Sequence, residues 1–158
     1  MNLKDKVIVI TGGGRGLGRS MALELADQGA KLALVDLSED DLEKTVGLCS
    51  EKGVEAKSYV ANVADEQAVE SLFNDIIRDF GALNGLVNNA GITRDGLFIK
   101  VKDGKVIKKM SIDQWNQVMD VNLTGSFLCS REAAIKMIET QSAGCVINIS
   151  SISRAGNM

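Results

Sequence analysis

Apolar runs of strand length alternate along this chain with stretches whose apolar residues recur every three or four positions. That alternation is the mark of parallel strands joined by crossover helices. Five runs read as strands: Lys6–Thr11, Lys31–Asp36, Glu55–Ala61, Gly85–Asn88 and Cys145–Ser150. Rich in Val, Ile and Leu and barely alternating, they fit strands covered on both faces. Between them, three stripes predict helices packed on the sheet: Leu17, Met21 and Leu25; Leu42, Val46 and Cys49; Val69, Leu72, Phe73, Ile76 and Phe80. The order βαβαβαβαβ predicts an α/β fold with a doubly wound parallel sheet.

Punctuation falls at the same boundaries. Gly29, Gly53 and Gly81 each follow a helical run, where a left-handed residue costs glycine nothing. Ser38 and Asp65 occupy N-cap positions, and Ser111 with Gln114 three residues on forms a capping box. That box opens a long helical region from Ile112 to about Thr140. One segment departs from a plain crossover. Between residues 97 and 109, Asp103-Gly104 separates two β-prone runs, which predicts an inserted hairpin. Its lysines, at 100, 102, 105, 108 and 109, form the one concentrated positive patch in the sequence. They either guard an exposed strand edge or dock a partner.

Composition narrows the classes. At 158 residues, 45% hydrophobic, 25% charged and with net charge −3, the chain matches an ordinary globular domain, read as one unit over 1–158. Met1 to Lys6 precede an apolar run of only four residues, Val7 to Ile10, so neither a signal-peptide core nor a spanning helix is expected, and the reading is cytoplasmic. Mild acidity argues against a nucleic-acid surface. Cys49, Cys129 and Cys145 are odd in number and far apart, which fits buried free thiols rather than disulfides or a metal pair. The absence of histidine removes every triad or zinc site that needs imidazole, and no metal site is expected.

Candidate chemistry lies at the first turn. Thr11 to Gly18, with glycines at 12, 13, 14, 16 and 18, separates the first strand from the first helix, where glycine lets backbone approach a pyrophosphate closely. Amides from about Gly16 onward would point unpaired N–H groups and the positive end of the helix dipole at the anion. This is the phosphate loop of a Rossmann-type fold. Asp36, 18 residues past Gly18, ends the second strand at the usual interval for a carboxylate on the adenosine ribose. A 2′-phosphate would be repelled there and Leu37 offers no cation, so NAD(H) is favoured over NADP(H), with Arg15 as a partial offset.

These residues resemble the short-chain dehydrogenase/reductase family, and within it the bacterial 3-oxoacyl-(acyl-carrier-protein) reductases. The likeness rests on four motifs in order: the glycine pattern Thr11, Gly12, Gly16, Gly18; the tetrapeptide Asn88-Asn89-Ala90-Gly91; Asn122; and Ile149-Ser150-Ser151. Ile92-Thr93-Arg94-Asp95 resembles the acyl-carrier-protein reductases in particular, while the hairpin departs from their shorter connection. The resemblance implies that Gly12, Arg15, Gly16, Leu17 and Gly18 surround the pyrophosphate, that Asp36 and Leu37 meet the ribose, that Asn62 and Val63 flank adenine, and that Asn89, Ala90 and Gly91 line the nicotinamide-side ribose. Ser151, with Ser150 as the adjacent alternative, would hold the substrate oxygen, and Asn122 would interrupt its helix and hold a water of the proton relay. It further implies hydride transfer to a carbonyl, a small-molecule or carrier-bound acyl substrate, and a homotetramer.

The family's tyrosine and lysine, four residues apart and a dozen or so beyond the serine, do not occur by Met158, and neither do its last two strands, so a C-terminally incomplete chain is expected. Two other readings stand beside the thioester reductase: a non-catalytic dinucleotide-binding module, and a sugar- or steroid-alcohol dehydrogenase of the same family.

Overall fold

The computed structural model describes residues 2–94 and 96–151. A five-stranded parallel sheet runs β3-β2-β1-β4-β7, built from β1 (Val7–Thr11), β2 (Lys31–Asp36), β3 (Ala56–Val60), β4 (Gly85–Asn88) and β7 (Cys145–Asn148). The chain winds outward from β1 to β3 and returns to β4. The strand order therefore reverses between β1 and β4, the place where a crevice opens at the carboxyl ends of such sheets.

Helices α1 (Gly16–Asp27), α2 (Glu39–Ser50), α3 (Glu66–Phe80) and α5 (Gly125–Glu139) cover the sheet, while α4 (Ile112–Met119) buries none of its residues. Successive strand residues face opposite layers. Ile8, Ile10, Leu32 and Leu34 pack with Ala22, Ala26, Leu42 and Cys49 of α1 and α2. Val7, Val9, Ala33 and Val35 pack with Val69, Phe73 and Ile76 of α3 and Leu128 and Ala133 of α5. Strands buried on both faces are what unbroken Val, Ile and Leu runs encode, and β1, β4 and the middle of β2 are buried throughout.

Caps form as expected: Asp41 N donates to Ser38 Oγ (3.3 Å), Ala68 N to Asp65 Oδ1 (3.0 Å), and Ser111 with Gln114 makes both bonds of the capping box. Gly81 caps α3 in the left-handed region at φ 74°. Asp103 and Gly104 are both left-handed (φ 50° and 71°) between the antiparallel β5 (Ile99–Lys102) and β6 (Lys105–Lys109), the twist a two-residue hairpin demands.

Two expectations need correction. On α1 Met21 and Leu25 pack half-buried against the core as expected, beside fully buried Gly18, Ala22 and Ala26, but Leu17 is 57% exposed. The helical region from Ile112 to about Thr140 is interrupted at Asn122 as the resemblance implies, by a π-turn at Asp120–Thr124 that separates α4 from α5. Cys145 is exposed, unlike buried Cys49 and Cys129, because it opens β7, all four of whose residues are exposed at the sheet's edge. Strand ends also shorten: β3 omits Glu55 and Ala61, β1 omits Lys6, and β7 stops at Asn148. Ile149, Phe127, Leu123 and Ile138 are also exposed. Among the described residues no helix is long and apolar enough to cross a membrane.

Candidate functional site

Thr11 ends β1 buried, and its hydroxyl ties two loops together. Its Oγ accepts from the amides of Asn89 and Ala90, both at 3.0 Å, while Asn89 Nδ2 donates to the carbonyls of Thr11 (3.0 Å) and Gly12 (3.2 Å). The glycine loop and the segment after β4 thus close the crevice between β1 and β4 from both sides. Gly12 turns the chain at φ 67°, and a Cβ on Gly18 would lie 1.9 Å from Gly12 O, so only glycine lets α1 start against the loop.

Gly16 differs. It is left-handed (φ 54°), nothing lies within 4 Å of a Cβ placed on it, and it lines the cleft. The α1 N-terminus beside it has no side-chain cap and no acidic residue in its first turn. Its amides and the positive end of its dipole are left for an anion from outside the chain.

Across the cleft, Asp36 stands at the tip of β2. Its Oδ2 accepts from Gly14 N (3.1 Å) and its Oδ1 from the amides of Leu37 (2.8 Å) and Ser38 (3.3 Å). Three donors fix the carboxylate without exhausting about four lone-pair sites, so it can still accept hydroxyl protons. Gly14 is held in turn: its carbonyl accepts from Thr45 Oγ1 (2.8 Å) and Arg19 Nε (3.1 Å).

The resulting cleft has a volume of about 610 Å³ and is lined by Gly12, Arg15, Gly16, Asp36, Leu37, Asn62, Val63, Asn89, Ala90 and Gly91 of the expected set. Leu17 and Gly18 lie outside its wall, Gly18 packed behind Gly12. Asn122 reaches the wall indirectly: its Oδ1 accepts from Ile92 N (2.9 Å) and its Nδ2 donates to Ile92 O (3.0 Å), a two-bond brace on a lining residue. The brace springs from the middle of the π-turn, the helix interruption that the family resemblance implies at Asn122. Ser151 is exposed and is not part of the wall.

Sequence reasoning missed Val35, Ser38, Asp41, Ala61, Ile92 and Val121 of the lining, and Arg19 and Thr45 behind it. Asp41 and Ser38 sit in the first turn of α2, next to Asp36, so the cap read at Ser38 already carried that signal. Beneath the cleft, Asn88 turns inward instead, donating to Ser130 Oγ (2.9 Å) and Asn148 Oδ1 (2.8 Å) across to α5 and β7.

An uncapped helix start, a carboxylate at the neighbouring strand tip and a reversal of strand order between them define an α/β protein of the Rossmann type. The chain matches the short chain dehydrogenase family over residues 6–158 and belongs to that family. It is 38% identical over 148 residues to a 3-oxoacyl-(acyl-carrier-protein) reductase of Staphylococcus aureus strain Mu50, covering 93% of this chain and 56% of that protein. The Staphylococcus epidermidis protein of the same name is 37% identical over 149 residues, covering 94% and 57%. Among solved structures it is similar to NAD+-bound xylitol dehydrogenase (TM-score 0.86, 35% identity, all of this chain and 57% of that one) and to levodione reductase (0.84, 35%, 99% and 58%). The chain spans little more than half the length of these relatives.

Proposed function

We propose that the cleft holds a nicotinamide dinucleotide, NAD(H) in preference to NADP(H), and that these residues belong to an NAD(P)-dependent oxidoreductase that reduces 3-oxoacyl thioesters. The observation that carries this reading is the uncapped start of α1, with Gly16 open to the cleft, set opposite the fixed carboxylate of Asp36. When bound there, the dinucleotide supplies or accepts the hydride.

The chain's own residues bind and orient. Gly12, Arg15 and Gly16 receive the diphosphate, with Leu17 continuing the helix start and Gly18 closing the loop behind. Asp36 accepts the ribose hydroxyls beside Leu37. A 2′-phosphate would set a second anion against Asp36 and Asp41, with Arg15 as the compensating cation on the wall. Asn62, whose Oδ1 accepts from Ala64 N at 3.1 Å, flanks adenine with Val63. Asn89, Ala90 and Gly91 face the nicotinamide-side ribose. Asn122 acts through Ile92 as a positioning residue, and Ser151 is assigned the substrate oxygen from the family resemblance.

The thioester substrate draws its support from the two staphylococcal reductases. The likeness to xylitol dehydrogenase supports a second reading, a sugar-alcohol dehydrogenase. A homotetramer in the cytoplasm goes with either, and the exposed Phe127 and Ile138 of α5 are suited to a subunit contact. The test is calorimetric titration of the chain with NADH and NADPH. Tighter binding of NADH, with the gap narrowed in Asp36→Ala, is expected; heat from neither nucleotide refutes the reading.

A further inference from the structure

The hairpin β5–β6 stands out from the rest of the surface in the way its charge is sorted. Lys100 and Lys102 share one face of β5 by alternation, and their partners across the ladder, Lys108 and Lys105, share it with them, because a register shift between Lys100 and Val101 takes up the extra residue Ile107 on β6. Val101 and Val106 form a pair on the opposite face, with Ile99 and Lys109. Like charges directly opposite one another weaken a strand pair, so this face works against its own hairpin.

Among the described residues no ion pair relieves it: none of the four lysines has one, and every residue of both strands is exposed. Among the described residues Arg94, before the hairpin, bonds neutral oxygens, those of Gln117 (3.2 Å) and Thr93 (3.2 Å). Residues 97–109 carry five lysines and one aspartate, a local +4 that leaves −7 on the remainder of a chain whose net charge is −3. The patch also has a definite address. It follows Ile92 on the cleft wall, Met110 N closes its base on Phe98 O (2.9 Å), and the Arg94–Gln117 bond ties the rim to α4.

We propose that the lysine face of this hairpin docks an acidic protein that presents the acyl thioester at the cleft. The inference rests on the thioester reading above. Four point charges on a flat ribbon complement a field of surface carboxylates, steering encounter and fixing orientation at the rim. A membrane surface fits less well. Interfacial anchoring needs apolar side chains on the side that meets the lipid, and here Val101 and Val106 point away from the lysines.

The test is fluorescence anisotropy of a labelled acyl-carrier protein, an acidic carrier loaded with a 3-oxoacyl chain, titrated with the chain and with its Lys100→Gln/Lys102→Gln/Lys105→Gln/Lys108→Gln variant. Neutralisation removes the cross-strand repulsion, so the variant's hairpin keeps its fold. Carrier affinity is expected to fall about tenfold in the variant, and raising salt from about 50 to 300 mM should weaken the parent while leaving the variant nearly unmoved. Equal affinity in parent and variant overturns the proposal. So does parent binding to phosphatidylglycerol vesicles but not to the carrier, or to neither. An NADH titration of both proteins keeps the two ideas apart: a parent that binds NADH but not the carrier refutes the docking face alone, and a parent that binds the carrier but not NADH refutes the dinucleotide reading alone.

Discussion

Two glycines of one loop should respond to the same substitution in different ways, and the difference separates packing from ligand binding. In Gly18→Ala the new methyl would sit 1.9 Å from Gly12 O, 2.8 Å from Gly12 C and 2.9 Å from Asn89 Nδ2. Contacts below 3.0 Å do not persist, so Gly12 O must retreat by more than 1 Å against the Asn89 bond that holds it. Overpacking of this kind costs about 1–3 kcal/mol, and a lost hydrogen bond about 1 more. At roughly 2–4 °C per kcal/mol for a protein of this size, the melting temperature should fall by about 5–15 °C, with NADH binding lost alongside. In Gly16→Ala the methyl meets nothing within 4 Å, and the cost is the left-handed φ of 54°, about 1–2 kcal/mol or roughly 2–8 °C. Its methyl enters the space beside the uncapped helix start, so NADH affinity should drop at least about tenfold while the fold survives. Circular dichroism melts and NADH fluorescence titrations read both quantities. A Gly18→Ala melt within about 2 °C of the parent, or undiminished NADH affinity in Gly16→Ala, refutes the assignment of these two roles.

Three further outcomes follow from groups outside that loop. Exposed Cys145 should react with a disulfide reagent within seconds in the native chain, whereas Cys129, its thiol pushed up to about 12 by burial, and buried Cys49 should wait for unfolding; mass spectrometry after brief labelling identifies the site. The hydroxyl of Tyr59 donates to Asp79 Oδ2 at 2.8 Å and holds that carboxyl below its ordinary range, with Lys57 and Arg78 adding to the effect. A depressed carboxylate stabilises fully above its unfolded value near about pH 4 and progressively less as pH falls through the folded value. Tyr59→Phe should therefore lower denaturant stability at pH 7, and the deficit should shrink toward pH 2; a deficit independent of pH counts against the pairing. Asn122→Ala removes both bonds to Ile92, which should cost about 1–2 kcal/mol and speed hydrogen exchange at the Ile92 amide; unchanged protection there rejects the brace.

The fold was legible because its central strands are buried on both faces, which leaves little ambiguity between a run such as Val7 to Ile10 and a helix. The wall of the cleft was legible wherever backbone geometry dictates residue type, as at Gly12, Gly16 and Asp36. Residues that line by mere position, Val35, Ala61 and Val121, carry no compositional mark. The stripe on α1 was read without Gly18, Ala22 and Ala26 because alanine and glycine score weakly as apolar, yet they are its fully buried residues. The π-turn is invisible to periodicity, since one extra residue in a turn shifts the phase by less than the spacing between stripes. Cys145 was misplaced because a strand's position at the edge of a sheet depends on neighbours that its own sequence does not encode.

The elements that build the cleft argue that binding and chemistry are separable in this chain. Its described wall comes from the ends of β1, β2, β3 and β4, the loops that follow them, and Val121, and each loop is held by bonds inside that half of the sheet: Thr11 to Asn89 and Ala90, Asp36 to Gly14, Asn122 to Ile92. None of these bonds passes through β7, whose exposed strand carries Ser151 just beyond its end. Tyr59 is the single tyrosine of the 158 residues; it lies in β3 outside the wall, and burial together with Asp79 raises its pKa further. On the proposed reading, recognition of the dinucleotide falls to residues 11–92 with Val121 and Asn122, and Tyr59, outside the wall, is not placed to serve a carbonyl there.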